Sequence, residues 1–287
     1  MSEEKNKIQK STLYLVATPI GNLSDISERA VKVLYEVDFI AAEDTRNSAR
    51  LLSAYGIKKE LVSYHEHNKK SSGERLVARL LSGESCALIT DAGMPAISDP
   101  GEDIVKLCAD AGITVSVIPG ACAAVSALSV SGLGTRRFAF EGFLSANKSE
   151  RKRQLEKVKN DDRTLIFYEA PHKLKTTLQD MCEIFGGERK IALCRELTKL
   201  NEEIMRITLS GACDYYSQNE PRGEYVLIVE GYSGEIIDDG IKELLSLSPE
   251  EHVIRYENQG LSRMDAIKRA AKDRGMSKSE LYKILNC

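Results

Sequence analysis

The stretch Thr12-Leu-Tyr-Leu-Val-Ala-Thr-Pro-Ile-Gly-Asn22 decides the fold class of this chain. Its first part is mostly apolar and predicts a strand, which stops at Pro19 because proline lacks the N–H that a central strand needs. The segment from Ile26 to Glu36 then has apolar residues at helical spacing. A strand, a glycine-bearing turn and a helix predict the start of a βαβ unit and therefore a parallel sheet.

The same alternation continues through the first half of the chain. Further strands are predicted at 39–42, 85–90 and 114–118, and a helix at 103–111 that ends with a left-handed residue at Gly112. After a helix at 123–130 the pattern is broken by Gly132-Leu-Gly134. We therefore predict an N-terminal α/β domain over residues 12–135.

The alternation restarts in a second predicted α/β domain, residues 136–235. Its strands are expected at 138–140, 164–167, 190–194, 203–208 and 223–229. The last two lie close together in sequence, which indicates an antiparallel part of a mixed sheet.

The third predicted part, residues 236–287, is a helical tail that follows a linker at 231–240. Helices are expected at 264–272 and 277–285, and Ser277 with Glu280 has the spacing of a capping box. The pair has helix-turn-helix spacing, although two short helices also commonly form a small packed cap.

Composition places the chain among globular proteins. Hydrophobic residues make up 42% and charged residues 29% of its 287 residues. The sequence has no apolar run of about 18 residues and no signal-peptide pattern at its polar start, so we expect a cytoplasmic protein. Seven scattered cysteines without a Cys-x-x-Cys pair are expected to be buried small hydrophobes.

Basic residues cluster at 148–159 and at 263–283, although the net charge is −3. Such clusters are commonly solvated helix faces, but they can also contact phosphates. Three loops with glycine or proline, at 17–26, 90–101 and 117–124, follow predicted parallel strands. Ligands of open α/β sheets bind at the carboxyl ends of the strands, so these loops predict a shared pocket. The first loop lacks G-x-G-x-x-G spacing, which excludes a Rossmann dinucleotide site.

Eight short motifs in this order make the chain recognisable over roughly residues 12–231. They are Thr18-Pro-Ile-Gly-Asn22, Ala42-Glu-Asp-Thr-Arg46, Tyr64-His-Glu-His-Asn68, Thr90-Asp-Ala-Gly-Met-Pro95, Ile118-Pro-Gly120, Tyr168-Glu-Ala-Pro-His172, Cys194-Arg-Glu-Leu-Thr-Lys199 and Gly223-Glu-Tyr225. With them the chain resembles the tetrapyrrole methylase fold group, and within it the methyltransferases of small-subunit ribosomal RNA.

The resemblance implies two α/β domains with S-adenosylmethionine between them, a homodimer, and 2′-O-methylation of a cytidine ribose in the decoding region of 16S ribosomal RNA. Carried over by motif, the residues that should contact the cofactor are Pro19, Ile20, Gly93, Met94, Pro95, Ile97, Ala121, Cys122, Tyr168, Leu197 and Tyr225. Cys122 and Met94 depart from the serine and threonine common in this fold group, which would lower cofactor affinity by about 1 kcal/mol if a hydroxyl hydrogen bond were lost.

Candidate catalytic residues are Glu43, His65 and Arg195, with Asp44, His67 and Glu224 also considered. A base for the ribose hydroxyl is sought among the acidic residues and histidines, while Arg195 and Lys199 could neutralise the neighbouring phosphate. Asp44 could instead cap a helix, Lys199 could pair with Glu202 or Glu203, and Arg195 with Glu224. His65 and His67 lack a third partner with metal-ligand spacing, so no metal is expected.

Two other functions remain open from the sequence. The first is a methyltransferase of the same fold that acts on a tetrapyrrole, against which the basic segments argue. The second is an RNA-binding or cofactor-sensing protein without catalysis, against which the pocket loops in both domains argue.

Overall fold

β1 (Thr12–Val16) lies inside a parallel sheet of five strands in the order β3-β2-β4-β1-β5. The computed structural model describes residues 7–234 and 244–285. The other strands of this sheet are β2 (Phe39–Ala42), β3 (Glu60–Ser63), β4 (Cys86–Ile89) and β5 (Thr114–Ile118). Its helices are α1 (Glu28–Glu36), α2 (Thr45–Ala54), α3 (Lys69–Leu81), α4 (Gly101–Asp110) and α5 (Ala123–Ser131).

The first sheet is buried on both faces, as expected for a parallel sheet. Successive residues of β2 alternate between two clusters, with Ile40 in one core and Phe39 in the other. Because all five strands are parallel, their carboxyl ends lie at one common edge of the sheet. The predicted parallel sheet is confirmed, as is the left-handed backbone of Gly112 after α4, where φ is 68°.

A mixed sheet of five strands in the order β6-β7-β10-β8-β9 forms the second half. Its strands are β6 (Phe138–Phe143), β7 (Thr164–Glu169), β8 (Lys190–Arg195), β9 (Glu203–Thr208) and β10 (Tyr225–Val229). Helices α6 (Lys148–Val158), α7 (Pro171–Phe185) and α8 (Leu209–Gln218) belong to this half. One face of the sheet packs with these helices, and the other packs against α5 through Ala127 and Leu128.

The mixed sheet is as predicted, but β9 and β10 are not neighbours. β10 inserts between β7 and β8 and is antiparallel to both, while β9 pairs with β8. Closeness in sequence suggested the wrong partners because α8 carries the chain across the sheet. Sequence analysis did not predict β3, α3 or α7, in part because β3 has only four residues, which are half-buried or exposed.

The described residues divide into two compact units, one up to Tyr232 and one from Ser233 onward. The second unit contains α9 (Pro249–Glu257), α10 (Arg263–Asp273) and α11 (Lys278–Leu285). Val253, Ile267 and Leu281 form part of its own apolar core. The predicted capping box is confirmed, since Ser277 N donates to Glu280 at 2.7 Å and Glu280 N to Ser277 Oγ at 3.2 Å. Most of the predicted linker, from residue 235 on, lies outside the described residues.

Several cations of the two basic clusters are bound within the protein. Arg151 is buried and donates through Nε to Asp180 at 2.8 Å, and Lys152 pairs with Glu183 at 2.6 Å. In the tail, Arg274 donates to His252 Nδ1 at 3.1 Å and to a backbone carbonyl. These residues stabilise the scaffold, so they are not available for phosphate contacts.

The six cysteines in the described residues are free thiols, three buried and three half-buried. Cys287 lies outside those residues. Among the described residues, none of the helices is long and apolar enough to cross a membrane.

We expect Asp180→Ala to lower the free energy of unfolding by about 3–5 kcal/mol, because it leaves the buried Arg151 guanidinium without its carboxylate. Glu183→Ala is the matched control, since its carboxylate is 65% exposed and solvent screens its pair with Lys152, so the loss of stability should be much smaller. Urea denaturation measures both. Equal losses for the two variants would contradict a stabilising role of the buried pair.

Candidate active site

A cavity of about 500 Å³ lies where the carboxyl edge of the first sheet meets the second sheet. The first half contributes the loops after β1, β2, β4 and β5, and the second contributes the ends of β6, β7, β8 and β10. Its lining is mostly apolar and includes a few converging charged groups. This size and lining are typical of sites for small organic ligands.

Eight of the eleven residues predicted to contact a cofactor line this cavity. They are Ile20, Gly93, Met94, Ile97, Cys122, Tyr168, Leu197 and Tyr225. Pro19, Pro95 and Ala121 are not among the lining residues, but each adjoins one in sequence. The loops after β1 and β4 are joined because Thr18 and Gly93 exchange backbone hydrogen bonds of 2.9 and 3.1 Å. Their contacts with a cofactor remain a prediction.

Carboxylates form the charged part of the first-half wall. Glu43, which follows β2, lines the cavity together with Asp91 and Asp99. Burial raises the pKa of Glu43 above its usual value, and the nearby charges of Asp91 and Asp99 raise it further. Asp99 is held in place because it accepts backbone N–H groups from Ala96 at 3.0 Å and Gly101 at 2.7 Å. This wall favours cationic ligands and contains a carboxylate suited to accept a proton.

Asp44 belongs to the helix and not to the cavity. Its carboxylate caps α2 by accepting the backbone N–H groups of Arg46 at 2.8 Å and Asn47 at 3.4 Å. The Arg46 side chain lies 3.5 Å from the same carboxylate. The interpretation of Asp44 as a helix cap paired with Arg46 is therefore confirmed.

His65 follows β3 by two residues and does not line the cavity. The charge of His65 lowers the pKa of Glu43 and so opposes the increase that burial causes. Its Nδ1 atom is buried without a hydrogen-bond partner in the part of the chain that the structure describes. The His65 and His67 ring centroids are 5.9 Å apart, and the described residues contain no cluster of three metal-ligating side chains.

On the second-half wall, Lys199 is the centre of a charged network. Its Nζ lies 2.9 Å from Glu196 and 2.8 Å from Glu224, and both Lys199 and Glu224 line the cavity. The expected pairing of Lys199 with Glu202 or Glu203 is wrong. Partial burial pulls the pKa of Lys199 down, but the hydrogen bonds to Glu224 and Glu196 outweigh it and leave the pKa raised. Lys199 is therefore a cation and not a base.

Arg195 lies outside the large cavity. It pairs with Glu203 at 2.9 Å and donates through Nε to the Arg222 carbonyl at 2.9 Å. With Tyr215 it lines a separate cavity of about 260 Å³. Arg195 does not pair with Glu224, the structural partner expected from the sequence, because β9 brings Glu203 directly opposite Arg195. Glu224 pairs with Lys199. The structure thus does not bring Arg195 together with Glu43.

Backbone strain, which the sequence did not indicate, is concentrated beside the cavity. In the described residues, four of the five non-glycine positions with left-handed backbone lie in two loops at its rim: Ala96, Ser98, Glu196 and Thr198. Each such residue costs about 1–3 kcal/mol and persists only where the surroundings hold it. Phe143 also lines the cavity and was missed by the sequence analysis, although Gly142, next to it, was a possible signal of a bulge.

Comparisons with known proteins agree with this geometry. Residues 12–213 match the family of tetrapyrrole (corrin/porphyrin) methylases. The chain is 50% identical over 275 residues to ribosomal RNA small subunit methyltransferase I of Halalkalibacterium halodurans, covering 96% of this chain and 94% of the relative. It is 48% identical to the protein of that name from Bacillus subtilis, again over 96% of this chain and 94% of the relative.

Solved structures support the fold at lower sequence identity. A uroporphyrin-III-C-methyltransferase from Thermus thermophilus superposes with a TM-score of 0.55 at 21% identity, over 77% of this chain and 94% of that one. A diphthine synthase superposes with a TM-score of 0.59 at 14% identity, over 77% and 90%. The extent and identity of the sequence matches show that this chain belongs to the tetrapyrrole methylase family and, within it, to the ribosomal RNA small subunit methyltransferase I group.

Proposed function

We propose that this protein methylates the 2′-hydroxyl of a cytidine ribose in the decoding region of 16S ribosomal RNA, using S-adenosylmethionine. The observation that carries the proposal is the large cavity, which gathers most of the predicted cofactor residues from both halves of the chain. The relatives' names state an activity on small-subunit ribosomal RNA, and their similarity extends over nearly the whole chain.

The lining of the cavity fits the proposed cofactor. S-adenosylmethionine, when bound, supplies an electrophilic methyl group on a sulfonium cation. Apolar side chains such as Ile20, Met94 and Leu197 would enclose its body, while the carboxylates of Glu43, Asp91 and Asp99 favour its positive charge. Cys122 and Ala123 present small residues at the start of α5, where a flat ring can approach the backbone.

The protein's own contribution is then alignment and proton removal. Holding the ribose oxygen in line with the methyl group can supply about 7–11 kcal/mol of the barrier. We assign the proton-accepting role to Glu43, which combines a raised pKa with a position on the cavity wall. The roles considered for His65 and Arg195 remain predictions, and neither lines this cavity.

The remaining parts of the proposal concern organisation. We propose that residues 12–135 and 136–235 act as the two catalytic domains, that residues 236–287 contribute to RNA binding, and that the protein is a cytoplasmic homodimer. Exposed Val117 on the edge strand β5 and exposed Val125 on α5 provide apolar surface for such a dimer.

The function is tested with small ribosomal subunits from cells that lack this protein, incubated with methyl-labelled cofactor and the purified protein. We expect label on one cytidine ribose, mapped by primer extension and nucleoside analysis. Parallel reactions with deproteinised 16S RNA and with a porphyrinoid identify the preferred substrate. Label only in the porphyrinoid would favour a tetrapyrrole methyltransferase, and no label in any reaction would favour a protein without catalysis.

Glu43→Gln should lower the single-turnover rate by about 10²- to 10⁴-fold, because the proton acceptor is lost. The wild-type rate should rise as the pH increases through the raised pKa of Glu43, and this dependence should vanish in the variant. Burial disfavours the ionised carboxylate of Glu43 in the folded state, so its ionisation lowers the stability of the folded protein at every pH above the raised pKa. Because glutamine carries no charge, the variant should melt no lower than the wild type at pH 7.

The neighbouring residue provides the control for that experiment. Asp44→Ala removes the cap of α2 and should lower the melting temperature with little change in the chemical rate. A Glu43→Gln protein that turns over at the wild-type rate would remove Glu43 from the mechanism.

Reversing the charges of Lys268, Arg269 and Lys272, which are exposed on α10, should weaken RNA binding. Each lost phosphate contact should reduce the slope of log affinity against log salt by about 0.7–0.9. Arg269 also contacts Tyr256, so its reversal could weaken RNA binding by disturbing the fold of the tail. A second variant, with only Lys268 and Lys272 reversed, tests the effect of charge alone. Unchanged RNA affinity and salt slope in both variants would show that the tail does not bind RNA, and cofactor affinity should stay constant.

A further inference from the structure

Phe143 is an aromatic side chain that lines the catalytic cavity and is nevertheless 56% exposed. Large aromatic side chains normally bury most of their surface, because each can remove 150–250 Å² from water. Phe143 lies at the carboxyl end of β6, on the rim that the second half contributes. Its exposure leaves an apolar ring face at the entrance to the site.

A bulge in β6 aims this ring at the cavity. The pairing of β6 with β7 is regular up to Phe140, shifts between Phe140 and Gly142, and places Phe143 opposite Tyr168. Side chains three residues apart normally lie on opposite faces of a strand, but the bulge brings Phe140 and Phe143 to the same side. Gly142 adopts a φ of 66°, which favours glycine, and a Cβ there would lie 3.2 Å from Ser98 Oγ.

Tyr168 holds Phe143 from behind. The two rings meet edge to face with centroids 5.4 Å apart, and Phe140 supports Tyr168 at 5.0 Å in the same way. The Tyr168 hydroxyl accepts the backbone N–H of Ala124 at 3.1 Å, which ties the cluster to α5. Burial raises the pKa of Tyr168 to about 12, so its ring stays neutral. Phe143 is therefore a supported and oriented ring.

We propose that Phe143 is the platform on which the base of the methylated nucleotide stacks. This inference rests on the proposed function, because it assigns the substrate contact of the same site. Proteins that recognise single-stranded RNA in a sequence-specific way stack its unpaired bases on aromatic side chains. A base stacked on Phe143 would place its ribose at the rim, next to the wall that carries Glu43.

The exposure of Phe143 favours the RNA base over the adenine of the cofactor. A methyl donor reacts best in a site closed to water, and the buried residues Ile20, Leu197 and Tyr225 provide such surroundings deeper in the cavity. The substrate nucleotide must enter from solvent, so its contact surface has to remain open until it binds. Stacking is tolerant of base identity, so Phe143 would supply affinity and orientation and leave the choice of cytosine to other contacts.

The test compares Phe143→Ala with wild type in single-turnover methylation of small subunits from cells lacking the protein. We expect the subunit concentration that gives half-maximal rate to rise about 5- to 100-fold, the effect of losing one base–aromatic stack. The cofactor dissociation constant, measured by calorimetry, should change less than about twofold. Phe143→Trp should restore most of the lost affinity, since indole also presents a flat ring.

Phe138→Ala is the matched control. Phe138 lies on the same strand and is 43% exposed, but it does not line the cavity. It should leave the subunit dependence, the maximal rate and the cofactor affinity unchanged.

Three results would overturn the proposal. They are an unchanged subunit dependence in Phe143→Ala, a loss of cofactor affinity that accounts for the whole effect, and equal losses in Phe143→Ala and Phe138→Ala. Failure of the proposed function is distinct, because wild-type protein would then transfer no methyl group to any subunit preparation.

Discussion

The loop after β8 lies directly on the loop after β1, and this contact is possible only because Gly21 has no side chain. A Cβ at Gly21 would lie 2.4 Å from Lys199 Cγ and 2.8 Å from Thr198 Oγ1. A real Cβ atom essentially never lies that close to another heavy atom, so a larger residue at this position would force Lys199 and Thr198 to move. Both loops contribute residues to the walls of the cavity, among them Ile20, Leu197 and Lys199, so this approach places two of its walls beside each other. Two residues of the β8 loop, Glu196 and Thr198, also keep left-handed backbone there.

Charge reinforces the same contact. Lys199 links Glu196 and Glu224, and Glu196 also accepts the backbone N–H of Glu224 at 3.0 Å. The β8 loop is thereby fixed to β10 on one side and packed on Gly21 on the other. The wall opposite contains carboxylates, whose mutual repulsion and burial raise the pKa of Glu43. The carboxylates of this wall favour a cationic ligand, since Lys199 is already neutralised by Glu196 and Glu224.

Strain, burial and exposure are distributed in a way that separates scaffold from function. The Arg151–Asp180 pair is buried, and neither residue lines the cavity, so the pair serves stability. Around the cavity the opposite holds, since left-handed non-glycine residues, a carboxylate with a raised pKa and a half-exposed phenylalanine all lie at its rim. Natural sequences depart from local rules mainly where function demands it. In this protein the residues that depart from these rules lie around the cavity that is lined by residues of the family motifs.

The sequence by itself determined the parallel sheet, the mixed sheet, the family and eight of the eleven residues predicted to contact a cofactor, which line the site. It could do so because strand periodicity, turn residues such as Gly112 and the motif loops are local properties of the chain. Which charged groups meet was decided only by the tertiary structure: Arg195 faces Glu203 because β9 pairs with β8, and Glu224 pairs with Lys199. The direction of the Phe143 side chain likewise follows from the bulge in β6, which appears only in the pairing of β6 with β7. Strand order and register bring together residues that are far apart in sequence, and no short sequence pattern predicts which of these residues will meet.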